Sequence, residues 1–420
     1  MSAPGRAGFR EVFAVAEFRS LWAAQLLSVT GDQLAKVALT VLVYDRTGSA
    51  VLAALTFAVS FVPTFIGGIL LSGIADRLPR RAVMIACDLA RMVLAGLMAV
   101  PGMPLPVLVG LLFLVTMIGA PFSAARAAIY PVILSGGRYI SGTAVTLTTN
   151  QLAQVVGFAL GGALTGLLGP RSCLVVDAAT FAASAVLVRL GVMPRPASEG
   201  TGRGTAAALA GLAAGARLVF GDPALRTPML YGWLAALYNA PEGIAAPFAR
   251  ALGGGPVTAG LLLACPAAGY TAGALAFSRL AGPESRERLI APLAVACSAA
   301  LIPIALGPGL TVTLLLLAVS GACSCFQVSA NAAFVAAAPP EQRSQVVGLA
   351  MGGMSLGQGT AMALAGAAAQ HHAPAMVVGA AGGLGVIVTL GLIHSLPFRF
   401  ARLKSRPGRV SPRSRHGGCA

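Results

Sequence analysis

Long apolar stretches follow one another along almost the whole chain, separated by short links that are rich in Gly, Pro or basic residues. A helix needs about 20 mostly apolar residues to cross the hydrocarbon core of a bilayer. The stretches of that length cover 20–43, 50–74, 82–101, 104–126, 143–167, 173–193, 226–249, 256–280, 288–307, 310–335, 344–369 and 374–396. The pattern therefore predicts an all-α membrane protein with twelve transmembrane helices.

The composition points the same way. Hydrophobic residues make up 57% of the chain and charged residues only 10%, whereas soluble domains contain about 25% charged residues. A soluble surface and a disordered chain are both excluded by this balance, since disordered segments are polar. The apolar stretches are continuous rather than short and alternating, which also disfavours a membrane β-barrel.

The basic residues predict the orientation. The net charge is +16, and the basic residues lie in the gaps between apolar stretches, as in membrane proteins whose topology follows the positive-inside rule. With both termini in the cytoplasm, only Arg46, Arg171 and Arg250 fall on the opposite side, while Lys36 and Arg91 fall within helices. We therefore predict a multi-pass protein of the cytoplasmic membrane, in contact with lipid and without a nucleic-acid partner.

The chain also shows a weak internal repeat. A shift of 205 residues carries Arg126-Ala127-Ala128-Ile129 onto Asn331-Ala332-Ala333-Phe334, and Arg138 onto Arg343. Parallel six-helix repeats related by an axis along the membrane normal are known in transporters. The predicted organisation is a six-helix half at 1–195, a cytoplasmic linker at 196–225, a second six-helix half at 226–397 and a basic cytoplasmic tail at 398–420.

The loop after the second predicted helix carries the most specific motif, Ser72-Gly73-Ile74-Ala75-Asp76-Arg77-Leu78-Pro79-Arg80-Arg81. It resembles the signature loop of the major facilitator superfamily, with Asp76, Arg77, Arg80 and Arg81 at the matching positions. The resemblance implies that these four residues form a charge latch that closes the inner side in the outward-facing state. The second half has no Asp at the equivalent place, so the latch is expected in the first half only.

Further segments narrow the resemblance. Glu17-Phe18-Arg19-Ser20-Leu21-Trp22, Tyr44-Asp45-Arg46-Thr47-Gly48-Ser49 and Val176-Asp177-Ala178-Ala179-Thr180-Phe181 are similar to the drug-exporting branch that includes macrolide and enterobactin exporters. This likeness implies export by alternating access, with helices one, four, seven and ten around a central cavity. Antiporters of the superfamily often carry Gly-Pro-x-x-Gly-Gly in helix five, and this chain has Gly157-Phe158-Ala159-Leu160-Gly161-Gly162 there.

Ionisable residues inside predicted helices each need a physical reason, because they are costly in lipid. Asp32 and Lys36 are four residues apart and share a helix face, which suits either a neutralising pair or a proton site. Glu242 has no basic residue within a turn of its own helix and is a second proton-site candidate. We expect Asp88 and Arg91 to pair structurally.

Asp177, close to the predicted outer end of helix six, is expected to be solvated. A polar stripe in helix ten, formed by Ser320, Ser324, Gln327 and Asn331, suits either substrate contacts or packing between helices. Aromatic residues of helix seven, including Tyr238, could contact an amphipathic ligand, and Tyr231 is also explained as an interface anchor. For Asn150, Gln151 and Gln154 we favour helix packing.

Signatures of an enzyme are missing from the sequence. It contains no Gly-x-x-x-x-Gly-Lys-Ser/Thr loop for ATP, no metal-ligand spacing and no Gly-x-Ser-x-Gly motif. We therefore predict a secondary transporter without cofactor, which exports a small amphipathic compound in exchange for protons. The sequence offers no large soluble domain for partners, so we expect a monomer. The alternatives are a proton-coupled importer and a non-transporting membrane receptor or scaffold with the same fold.

Overall fold

The computed structural model describes residues 8–63, 66–67, 78–196 and 205–395, and every regular element in these ranges is a helix. In the described ranges these elements group into twelve segments, and the predicted all-α membrane fold is confirmed. Segments 1 to 6 contain, in order, the helices Ala16–Thr47, Ala50–Ala58, Arg80–Met98, Leu105–Ile133, Gly137–Leu168 and Pro170–Gly191. Segments 7 to 12 comprise 223–251, Pro256–Leu280, Ser285–Leu306, Leu310–Ala337, Arg343–Ala369 and Pro374–Ser395.

Eight helices of the described residues are individually long and apolar enough to cross a membrane. The other four segments depart from a plain apolar helix. Segment 3 contains Asp88 and Arg91, segment 7 is broken into short pieces, segment 11 is rich in Gly and Ala with several polar residues, and segment 2 is described only in part.

Several segments predicted as continuous helices are interrupted in the described residues; segment 9, for example, passes from Ile290–Ala299 into a 3₁₀ turn at Ile302–Leu306. Segment 7 consists of Pro223–Trp233, Ala235–Tyr238, a 3₁₀ turn at Ala240–Ile244, and Ala245–Ala251. Pro241 lies in that turn and has no amide hydrogen to continue an α-helical ladder. Segment 10 changes course at Ser324, between Leu310–Cys323 and Phe326–Ala337.

The predicted linker contains a helix. Thr205–Gly221 lies between the halves in sequence, and Gly215 of this helix lies against Gln345 at the start of segment 11. Asp222 then caps segment 7, where its carboxylate accepts a hydrogen bond from the Ala224 amide at 2.9 Å. On the other side of the linker, Arg195 donates to both carboxylate oxygens of Glu17 at 2.7 and 2.8 Å.

The two halves contact each other through matching pairs of segments. We call the linker side the one at which segments 1 and 7 begin, and the far side the opposite one. Near the far side, Gly162 of segment 5 lies against Gly260 of segment 8, where a Cβ on Gly162 would be 2.8 Å from the Gly260 Cα. Gly366 of segment 11 lies against Ala54 of segment 2 in the same way. The shift of 205 residues relates these two contacts to within one residue, as expected for two equivalent halves.

Polar contacts join the halves at the same side. An Arg250 Nη2 donates to Asp45 Oδ1 at 2.7 Å, and these two positions are themselves related by the shift of 205. The Gln370 side-chain oxygen accepts from the Ala50 amide at 3.0 Å. Together with the glycine contacts, these bonds close the far side of the space between the halves.

Candidate functional site

A cavity of about 370 Å³ lies between the two halves, within the size range of small-molecule sites. Its polar lining consists of Gln33, Lys36, Gln151, Gln154, Asn239, Glu242, Ser320, Ser324, Gln327 and Gln358. Its aromatic lining consists of Phe57, Phe61, Phe158, Tyr238, Phe248 and Tyr270. Amide groups and aromatic rings together give the cavity the mixed character that an amphipathic molecule requires.

Lys36 extends from segment 1 toward the aromatic wall of segment 2. Its Nζ lies 6.0 Å from the centroid of the Phe57 ring and 5.9 Å from that of Phe61, within the range of cation–π attraction. Glu242 lines the same cavity from segment 7. The cavity thus contains one basic and one acidic side chain from opposite halves.

Asp32 does not form the neutralising pair with Lys36 that was one of the two interpretations. Instead, Arg91 Nη2 of segment 3 donates to both carboxylate oxygens of Asp32 at 2.7 and 2.9 Å. Arg91 Nη1 donates to Ser28 at 3.2 Å, and the guanidinium carbon lies 4.0 Å from the centroid of the Phe181 ring. A helix wheel relates residues of one helix only, so it could not identify a partner on segment 3.

The predicted pairing of Asp88 with Arg91 is also wrong. Asp88 is fully buried and accepts a hydrogen bond from the Ser184 hydroxyl at 2.6 Å. Asp177 is not solvated, as had been expected, but 1% exposed. Segment 6 starts at Pro170, so Asp177 lies about 10 Å along the helix at 1.5 Å per residue, about two turns from its end.

Asp32, Arg91 and Asp177 line a second cavity of about 250 Å³ within the first half. Lys36 lines both cavities and therefore lies at the boundary between them. The candidate proton residues are thus divided, with Glu242 in the central cavity, Asp32 in the second one and Lys36 between them.

The polar stripe of segment 10 is only partly a cavity wall. Ser320 and Ser324 line the cavity, but their hydroxyls donate to the Cys297 and Gly321 carbonyls at 2.8 and 2.7 Å. Asn331 is exposed and is absent from the described cavity lining, because the change of course at Ser324 ends the single helical face on which its prediction rested.

Gln327 and Tyr238 form a bonded pair on the cavity wall. The Gln327 amide nitrogen donates to the Tyr238 hydroxyl at 2.7 Å and to the Gly232 carbonyl at 2.9 Å. These bonds fix the orientation of the amide and leave the Tyr238 hydroxyl hydrogen available to an acceptor. Tyr231, in contrast, is fully buried, which excludes both ligand contact and interface anchoring for its ring.

Sequence reasoning missed several amides of the cavity. Gln151 and Gln154 line it, so the preference for helix packing was wrong for these two residues, while Asn150 does pack by accepting a bond from Gln25 at 3.3 Å. Gln33 is 6% exposed, and its Oε1 has no hydrogen-bond partner among the described residues. Its spacing of three residues from Lys36 was the signal that places both on one face.

The predicted latch is only partly described. Asp76 and Arg77 lie outside the described residues. Arg80 donates to the Ala128 carbonyl of segment 4 at 2.9 Å, and Arg81 donates to the Arg189 carbonyl at the end of segment 6. Both arginines therefore contact neighbouring segments of their own half at the linker side.

A family profile described as transmembrane secretion effector matches residues 10–408. The chain belongs to this family. As a transmembrane secretion effector, it is a transporter of the major facilitator superfamily, which confirms the resemblance found in the sequence.

Known relatives of this transmembrane secretion effector agree with its fold. The chain is 26% identical to the multidrug efflux pump Tap of Mycolicibacterium fortuitum over 349 residues, which cover 80% of this chain and 85% of the pump. Among solved structures, a POT family transporter in complex with 5-aminolevulinic acid has a TM-score of 0.71 at 12% identity, covering 94% of this chain and 98% of that one. A bacterial homologue of the human lysosomal transporter Spinster, inward-facing and occupied, has a TM-score of 0.67 at 15% identity and covers 94% and 97%.

Proposed function

We propose that this transporter exports amphipathic small molecules, with lipophilic cations as the preferred class, in exchange for protons. The observation that carries the proposal is the combination of Glu242 with aromatic and amide walls in the central cavity. An aromatic wall favours a flat apolar body and attracts positive charge, while a carboxylate selects a cation. The similarity to a multidrug efflux pump supports the same class.

Coupling follows from competition for Glu242. A carboxylate in a membrane interior is stable when it is protonated or when it faces a positive charge. A bound cation and a bound proton therefore exclude each other at this side chain, and binding of either lowers the affinity for the other to the same extent.

Lys36 gives the empty cavity a substitute for the cation. Its ammonium lies within about 6 Å of both phenyl rings, where the charge of a substrate would also be attracted. A cationic substrate must displace Lys36 from this position, and because Lys36 borders the second cavity, the displacement alters the field at Asp32. This is how we assign the three proton-coupling candidates to one process.

In an alternating-access cycle, the far side and the linker side would be closed in turn. The far-side contacts hold the described state closed at that side, and the Asp76, Arg77, Arg80 and Arg81 latch would close the linker side when the far side opens. With the linker side in the cytoplasm, the substrate enters from the cell interior and leaves outward. We propose that a monomer completes this cycle, with substrate, protons and lipid as the only partners it needs.

Ethidium, a flat lipophilic cation, is the probe that tests this proposal. Cells stripped of their own pumps and expressing the wild-type chain should retain less ethidium than cells with an empty vector, and a protonophore should abolish the difference. One proton that moves across 100 mV releases about 2.3 kcal/mol, which supports more than a tenfold concentration ratio in a one-to-one exchange.

Variants separate the roles in the same assay. Glu242→Gln should abolish export, while Glu341→Gln, a carboxylate in an exposed loop, should leave it unchanged. Higher ethidium retention with the wild-type chain would instead identify an importer. Equal retention across a wide panel of drugs and metabolites would favour the receptor or scaffold alternative.

A further inference from the structure

The second cavity is lined by two acidic and two basic side chains, Asp32 and Asp177 with Lys36 and Arg91. In the described residues Arg91 is hydrogen-bonded to Asp32, and neither basic side chain forms an ion pair with Asp177. A buried carboxylate without a compensating charge or hydrogen bonds is strongly disfavoured in its ionised form. Arg91 satisfies Asp32 by donating to both of its oxygens, so the Asp177 carboxyl group needs another source of neutrality.

Asp177 is the acid that is least satisfied on the cavity wall. It is 1% exposed, and its Oδ1 has no hydrogen-bond partner among the described residues. That oxygen lies against segment 1, where a Cβ built on Gly31 would be only 2.5 Å away from it. Gly31 is thus the residue that lets the carboxyl approach the backbone next to Asp32.

The charged groups around Asp177 come from two segments packed against it. Segment 1 contributes Asp32 and Lys36 and segment 3 contributes Arg91, whereas segment 4 lines the cavity with uncharged residues such as Thr116 and Ser123. A cavity of about 250 Å³ has room for several water molecules, which can bring a proton to the carboxyl group or take it away.

We propose that Asp177 is a second proton-binding site of the transporter, separate from the central cavity. Asp177 holds a proton while Arg91 is paired with Asp32. When the proton leaves to water in the second cavity, the ionised Asp177 competes with Asp32 for Arg91, and the guanidinium shifts from segment 1 toward segment 6. The inference rests on the proposed proton-coupled function, to which it adds a site on a segment outside the substrate cavity.

Infrared spectroscopy of the purified, full-length protein tests the protonation directly and needs no transport. The wild-type chain should show the carbonyl-stretch band of a protonated carboxylic acid at neutral pH, and Asp177→Asn should lose one component of it. Asp45→Asn, which removes a carboxylate from the exposed far-side pair, should leave the band unchanged. An identical band in Asp177→Asn and the wild-type chain would overturn the proposal.

Proteoliposomes then test the coupling. A gradient of one pH unit can sustain about a tenfold ethidium ratio in a one-to-one exchange, and Asp177→Asn should reduce this ratio to about one while ethidium counterflow, which needs no proton gradient, continues. Gradient-driven accumulation at the wild-type level in Asp177→Asn would contradict the inference. If wild-type protein itself fails to use the gradient, the proposed function fails, while the infrared band still decides whether Asp177 is protonated.

A second neutral variant guards against misfolding. If Asp177→Asn does not purify as a monodisperse protein, Asp177→Ser takes its place, because the serine side chain is smaller than the native one and cannot collide with Gly31. The same loss of the infrared component is expected, and its persistence in this variant would equally refute the assignment.

Discussion

The two halves share one architecture but differ in what they bury. The shift of 205 residues that relates the halves carries each charged residue of the second cavity onto an uncharged one in the other half. The equivalents of Asp32, Lys36, Arg91 and Asp177 are Leu237, Pro241, Ala296 and Gly382, and Asp88, which lies outside the cavity lining, falls on Leu293. Around this region the second half packs an apolar cluster made of Tyr231, Leu234, Ile290, Ala294, Cys297, Phe326 and Ala330.

This comparison shows that the fold does not require the charged residues of the second cavity. Apolar residues fill the equivalent space in the second half, and replacing a buried ion pair by well-packed apolar residues is often neutral or stabilising. The first half therefore retains Asp32, Arg91 and their neighbours against a physical cost, which is the pattern expected of functional intramembrane residues. The second half supplies Glu242 and uncharged polar residues such as Gln327 and Gln358 to the central cavity.

The largest effect is expected from Arg91→Ala. This change leaves the Asp32 carboxylate without its partner. Because the Asp32 side chain is 31% exposed, we expect a loss of about 3 kcal/mol, the lower end of the range for breaking a buried ion pair. Thermal unfolding in detergent should show the loss, and the double variant Asp32→Asn/Arg91→Ala should recover part of it. Equal destabilisation of the single and double variants would indicate that the charge pair has no special role in the first half.

The next largest loss of stability is expected at the glycine contacts between the halves. Gly162→Val places a side chain where the backbone of Gly260 lies, and overpacking of this kind costs about 1–3 kcal/mol. Gly366→Val, at the equivalent contact, should have a similar effect on the melting temperature. Gly110→Val in segment 4, where a Cβ would meet nothing within 4 Å, is the matched control, and an equal loss there would refute the importance of close approach.

A smaller loss of stability is expected when the cap at the start of segment 7 is removed. Asp222→Ala removes the carboxylate that caps segment 7, and the loss of such a cap costs about 1 kcal/mol. Asp222→Asn can still accept the Ala224 amide bond and should remain close to the wild-type stability in denaturation experiments. If Asn and Ala destabilise equally, the capping bond is not what Asp222 contributes.

The smallest effect is expected at the far-side pair. Asp45 and Arg250 are about half exposed, and exposed ion pairs contribute about 0.2–1 kcal/mol. Asp45→Ala should therefore change unfolding only slightly, and the difference should shrink further at high salt because exposed charges are screened. A salt-independent loss above this range would mean that the pair is a major lock rather than a weak one.

The number of segments and their order could be predicted because apolar length is a local property of the chain. The loop motif at Asp76 and Arg77 and the segments near Glu17 and Asp45 also led to the right family. Breaks in the helices were harder to predict. Pro241 marks one of them in the sequence, but the interruption at Ser324 has no comparable signal, and Asn331 beyond it does not line the cavity.

Partners between segments could not be predicted from one helix at a time. Asp32 and Lys36 share a face, yet Arg91 from another segment takes the carboxylate and leaves Lys36 to two phenyl rings. The burial of Asp177 depends on its closeness to Gly31, which is a tertiary contact. Helix periodicity specifies which residues face the protein interior, but packing decides which of them meet.

The most direct test of exchange at Glu242 is whether the binding of a cation displaces protons. Ethidium is added to purified protein in detergent at low buffer strength, and the pH of the solution is followed. We predict that the wild-type chain releases protons as it binds ethidium, and that Glu242→Gln shows a markedly smaller release at equal occupancy. Ethidium binding to the wild-type chain without any proton release, or with the same release from Glu242→Gln, would contradict the exchange at Glu242.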